Sequence, residues 1–121
     1  MERIWIKCWH SPIWIRKNIG NPNKKPRVPY QDSKAFTKWL DSTVGKPEDI
    51  DDVILIGMTV NCCILCLAQE LFSRGYKVKI LKEATDDYGG SASDKEYILQ
   101  MIEKNRWANI ISWKQLKDRI K

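Results

Sequence analysis

Val53, Ile54, Leu55 and Ile56 form an unbroken apolar run between Asp51–Asp52 and Gly57. A short run rich in β-branched residues predicts a strand buried on both faces of a parallel sheet. From Cys62 onward, Ile64, Leu65, Leu67, Ala68, Leu71 and Phe72 recur at helical spacing, and Gly75 follows Arg74 as a stop signal. Val78, Ile80 and Leu81 mark a second strand over 77–81, and the stretch 83–93, EATDDYGGSAS, reads as a polar, glycine-containing loop. Ser93 with Glu96 has the spacing of a capping box for a helix through Asn105, with Tyr97, Ile98, Met101 and Ile102 on one face. Asn109–Ile111 predicts a third strand, and Ser112 a cap for a closing helix carrying Trp113, Leu116 and Ile120. Upstream, Asp32 or Ser33 opens a helix with Phe36, Trp39 and Leu40 that ends near Gly45 and passes through a Pro47 linker. Strands alternating with helices predict an α/β fold with a mostly parallel, doubly wound sheet.

The first 31 residues differ in character. Ile4, Trp5 and Ile6 suggest a strand, but Trp9, Trp14 and prolines at 12, 22, 26 and 29 make the rest rigid, aromatic and loop-rich. The chain therefore divides into a basic, Trp/Pro-rich segment, 1–31, and an α/β part, 32–121; 121 residues suit a single domain. Net charge is +6, with the excess before residue 47 and concentrated in KNIGNPNKKPR. Such a segment could meet RNA or another polyanion. No RNP, zinc-finger or helix-turn-helix pattern accompanies it, so a solvated basic surface is the default expectation. No run has the length of a membrane span and the charged, Trp-rich start is unlike a signal peptide. Four cysteines without disulfide-like spacing suit a reducing interior, and a cytoplasmic location is expected.

The candidate chemistry lies in GMTVNCCILC, residues 57–66. A cysteine in the first turn of a helix sits among unpaired backbone N–H groups and the positive end of the helix dipole, which favour thiolate over thiol. Cysteine also serves as a small buried apolar filler, so Cys62, Cys63 and Cys66 stay open between the two roles on residue type alone. Cys63 and Cys66 additionally form a C-x-x-C at a helix start, the arrangement of thioredoxin-like redox proteins. Cys8 and His10 with Cys63 and Cys66 would supply four soft metal ligands, but their spacing matches no standard zinc module, and no metal or cofactor is expected.

The stretch GMTVNCCILCLAQELFSRGYKVKILKEAT resembles the cysteine hydrolases of the isochorismatase-like superfamily, which include nicotinamidases and carbamoylsarcosine amidases. Gly57, Asn61, Cys63, Ile64, Gly75, Tyr76 and Ala84 fall in register with that signature, over roughly residues 50–116. The resemblance implies a three-layer α/β/α fold and places Cys63 as a nucleophile that attacks an amide carbonyl to form an acyl-enzyme. It also implies a non-proline cis peptide at Met58–Thr59, with the N–H groups of Thr59 and Cys63 facing the developing oxyanion, and a substrate-binding position for Asn61. Two further family residues are an Asp ending the first strand and a Lys ahead of the helix before the nucleophile strand. Lys25 takes the lysine's place, whereas no carboxylate follows an apolar run before Val53.

The expectation is thus a hydrolase of a small-molecule amide. An inactive scaffold serving binding or assembly, and a thiol redox protein, are the alternatives. The chain is short of the family's usual complement at its N-terminal side, so a homo-oligomer or a completing partner chain is expected.

Overall fold

The computed structural model describes Trp5, residues 12–13, 33–86 and 92–120. The predicted strand at Ile4–Ile6 falls almost wholly outside these residues. In chain order the elements are α1 (Ser33–Thr43), a 3₁₀ turn (Pro47–Asp49), β1 (Val53–Met58), a π-helical turn (Val60–Ile64), α2 (Leu65–Ser73), β2 (Val78–Asp86), α3 (Ala92–Lys104), β3 (Asn109–Ile111) and α4 (Trp113–Ile120). The strands form one parallel sheet in the order β1-β2-β3. The predicted α/β architecture is present, as are the three strands predicted within 32–121.

The core forms on one face of this sheet. Leu55, Val78 and Ile80 meet Ile64, Ala68 and Leu71, one stripe at helical spacing, together with Leu99 and Ile102 of α3 and Phe36 and Leu40 of α1. Phe36, Val60, Ile80 and Ile102 are the largest of the fully buried side chains, each worth roughly 1.5–3 kcal/mol in apolar transfer. Lys79 and Leu81 point the other way by strand alternation, toward α4. There Asp52 holds Lys79 Nζ at 3.0 Å and Arg119 at 2.9 Å, tying the closing helix to the start of β1 and to β2. Helices therefore cover both faces, giving three layers.

Helix ends follow their sequence signals closely. Gly75, at φ +95°, ends α2: its N–H donates to the Phe72 carbonyl and that of Tyr76 to the Leu71 carbonyl, the paired bonds of a Schellman turn. At α4, Ser112 Oγ accepts from the Gln115 N–H at 3.2 Å while Gln115 Oε1 accepts from the Ser112 N–H at 2.8 Å, a reciprocal capping box. The end of α3 has the same bonding as α2, with the Trp107 N–H on the Ile102 carbonyl and the Arg106 N–H on that of Glu103. Here, however, the left-handed position is filled by Arg106, at φ +62°.

Four expectations are corrected. The polar stretch from Glu83 does not leave the sheet: after Leu55 pairs with Ile80, β2 bulges outward and returns so that Gly57 pairs with Thr85 and Met58 with Asp86. Thr85 is buried and donates to the Lys82 carbonyl at 3.2 Å, which satisfies its hydroxyl across the bulge. Second, α3 begins at Ala92, so Ser93 lies inside its first turn rather than ahead of it. Third, Tyr97 and Phe72 project outward, because the inner faces are set by Leu99 and Ile102 in α3 and by Ala68 and Leu71 in α2. Fourth, among the described residues β1 pairs with β2 alone, and it is covered less than its apolar run implies: Ile56 is 62% exposed and Met58 64%.

A clamp the sequence did not announce joins α1 to α2. Arg74 donates to Glu70 Oε1 at 3.0 Å, to Ser33 Oγ at 2.8 Å and to Thr37 Oγ1, and its guanidinium lies 5.0 Å from the Phe36 ring centroid. Tyr76 adds a second tie, its hydroxyl donating to the Gly45 carbonyl at 2.6 Å.

Two predictions follow from these contacts. Burial alone would raise the Asp52 pKa, but hydrogen bonds from Lys79 and Arg119, and their charges, outweigh it and hold the carboxyl below its ordinary 3.8. The contribution of a carboxyl lowered on folding is full above its unfolded value and is lost as pH falls through the folded one. Asp52→Asn should cost about 1 kcal/mol at neutral pH and flatten the acid limb of stability against pH, measured by urea unfolding. Arg106→Gly removes a side chain from the left-handed position and should stabilise the domain by about 1 kcal/mol in the same assay.

Candidate active site

The site is built where β1 gives way to helix. Gly57 carries φ +123°, a conformation closed to residues with a Cβ, and the following Met58–Thr59 peptide is cis. The chain then winds directly into helix. The Thr59 carbonyl accepts the Cys62 N–H at 3.2 Å and the Ile64 N–H at 3.0 Å, and the Leu65 N–H bonds to the Cys62 carbonyl. The helical path thus begins at Val60, two residues ahead of the predicted start, and its first turn is π rather than α. Val60 is completely buried and anchors this turn in the core.

Cys63 sits in the π turn, half-buried, with Ile64 beneath it in the core. It opens on a cavity of about 360 Å³ between α1, β1 and α2, shared with Trp5, Phe36, Trp39, Ile56 and Met58. The rings of Trp5 and Phe36 lie 5.1 Å apart, and those of Phe36 and Trp39 are stacked at 6.0 Å, so an aromatic cluster lines part of the cavity. Trp5 Nε1 donates to the Pro12 carbonyl, fixing its indole there. Among the described residues the cavity lining is apolar apart from Cys63.

Of the sequence-derived site residues, the structure brings Met58, Thr59, Asn61 and Cys63 together at the C-terminal end of β1. Asn61 is exposed on the turn. Lys25 lies outside the described residues, as do Cys8 and His10. Among the described residues no group of three or more His, Cys, Asp and Glu could hold a metal ion. Cys63 and Cys66 fall in successive elements, the π turn and the first turn of α2, and none of Cys62, Cys63 and Cys66 is in a disulfide. No helix of the described residues is long and apolar enough to cross a membrane.

One carboxylate at this end of the sheet was missed. Asp86 closes β2 directly opposite Met58 in the parallel ladder. Asp86 follows Val53 rather than preceding it, and its polar surroundings in 83–93 have the composition of a loop although it lies in a strand. The alternation of Ala84, Thr85 and Asp86 after an apolar strand was the available signal.

A strand leading through a sharp turn into a cysteine-bearing helix, in a parallel sheet, defines an α/β domain with its site at the strand's C-terminal end. The isochorismatase domain family model matches residues 27–115, and the chain belongs to that family. The crystal structure of an isochorismatase-like hydrolase from Alkaliphilus metalliredigens is similar, with a TM-score of 0.55 at 21% identity over 78% of this chain. The chain spans 46% of that protein's length. None of the curated proteins compared with it matches.

Gly57 is the residue on which this geometry turns. A Cβ there would meet only Ile64 Cδ1 at 3.9 Å, so space is available and the obstacle is backbone conformation. Gly57→Ala should destabilise the domain by about 1–3 kcal/mol, measured by urea unfolding. It should also change the rate at which Cys63 is alkylated.

Proposed function

We propose that the chain is a hydrolase that cleaves the carbon–nitrogen bond of a small amide, with Cys63 as nucleophile. The observation that carries this reading is the position of Cys63, in the first helical turn after the cis Met58–Thr59 peptide and at the mouth of a cavity large enough for a small molecule. The sulfur attacks the carbonyl carbon, and the tetrahedral oxyanion is met by the N–H groups of Thr59 and Cys63. Collapse breaks the C–N bond, the amine leaves with a proton, and water hydrolyses the thioester. Asp86, across the ladder from Met58, is the carboxylate we assign to take the thiol proton and pass it to the leaving nitrogen. Lys25 is the proposed ammonium of the set and Asn61 a contact to substrate. The similar structure being that of an isochorismatase-like hydrolase supports the reaction class.

The second reading is a scaffold that keeps the fold without turnover, and the apolar side chains that line the cavity beside Cys63 among the described residues favour it. Assay of a panel of small amides, nicotinamide included, separates the two. In the enzymatic reading Cys63→Ser lowers kcat at least about a thousandfold, and Asp86→Asn lowers it by about 10²–10⁴ with little change in KM. Equal rates for wild type and Cys63→Ser exclude Cys63 as nucleophile.

A further inference from the structure

We infer that the groove at the N-terminal ends of the strands, at the opposite end of the sheet from Cys63, binds a mononucleotide, with Lys77 and Arg106 on the phosphate and Phe72 and Trp107 on the base. The groove offers about 460 Å³, within the range of small-molecule sites. It forms because β2 and β3 are neighbours, so the turns that enter them from α2 and α3 lie side by side. The two turns share their backbone bonding but are filled differently. The left-handed position is Gly75 in one and Arg106, at φ +62°, in the other. A Cβ in that conformation costs stability that glycine would spare. Strain of this kind concentrates where the side chain that causes it is used.

The lining supplies both halves of such a ligand. Lys77 and Arg106 are exposed, and among the described residues neither is in an ion pair. Two such cations on one groove suit a phosphate monoester, and a guanidinium can meet two of its oxygens at once. The groove's carboxylates do not cancel them, because Asp52 is shared between Lys79 at 3.0 Å and Arg119 at 2.9 Å. Phe72 keeps 47% of its surface exposed and Trp107 is half-buried on the same groove. Open aromatic faces beside cations hold a base by stacking. Asp51 and Asn109, both exposed, present a carboxylate and an amide to ribose hydroxyls or to an exocyclic amine. Charge across the groove also selects one nucleotide over a strand: the unpaired cations stand at β2 and β3, and Asp51, at the β1 side, would repel the next phosphate. This site does not depend on the reaction assigned to Cys63.

Titration calorimetry of the intact chain with adenosine monophosphate tests it. The wild type is expected to bind saturably, with adenosine and ribose phosphate each bound at least about tenfold more weakly. Arg106→Gly and Lys77→Gln should each weaken adenosine monophosphate at least about tenfold, and Phe72→Ser should weaken it without changing the affinity for ribose phosphate. Arg106→Gly is the decisive variant, because it should unfold at higher urea than the wild type while binding less, so loss of the fold cannot account for its loss of ligand. Absence of saturable binding overturns the inference. So does binding that is equal in wild type and Arg106→Gly, as the basic segment before residue 47 would give, or ribose phosphate bound as tightly as the nucleotide. An RNA oligomer bound in preference to adenosine monophosphate at equal phosphate concentration also overturns it and assigns the face to nucleic acid.

Discussion

The chain must pass from an extended strand to a helix between Met58 and Val60, and nearly everything of chemical interest depends on how it does so. Gly57 supplies a backbone angle other residues avoid, the next peptide is cis, and the Thr59 carbonyl gathers two helix N–H groups at once. Burying Val60 fixes the result against the core. A looser connection would let the Cys63 side chain sample many directions. This one commits it to the space between the aromatic side chains of α1 and the end of β1.

That arrangement explains why the architecture was readable. The apolar run at Val53–Ile56, the helical stripe from Ile64 to Leu71 and the Arg74–Gly75 stop are local patterns whose physical causes act within a few residues. The capping role of Ser112 was legible for the same reason, since its partner Gln115 is three residues away. Tertiary pairing was not legible. Thr85 and Asp86 lie in a polar sequence and belong to the sheet only because Gly57 and Met58 offer them a ladder after the bulge. The Arg74 clamp was equally hidden, as its oxygen partners Ser33 and Thr37 are about forty positions distant and of ordinary composition.

The candidate site divides along the same line. Cys63, Met58, Thr59 and Asn61 are contiguous in sequence, so one turn brings them together and a motif suffices to find them. An acid or an ammonium arrives from another element, and no local pattern names it. Asp86 is placed by sheet register, and the apolar cavity wall by α1 and Trp5, both far from the nucleophile in sequence. The chain's span of about half of its structural neighbour is consistent with a site whose remaining groups come from beyond this motif.

Arg74 gives the two helices a common fate. Its guanidinium is shared between the last turn of α2 and the first turns of α1 while it covers the face of Phe36. Peeling α1 away would strand that charge and uncover the ring in one step, so neither helix gains by loosening alone. The layer that walls the cavity should therefore open as a unit, and access to the thiol from that side would be gated by cooperative local unfolding rather than by the fraying of a single helix.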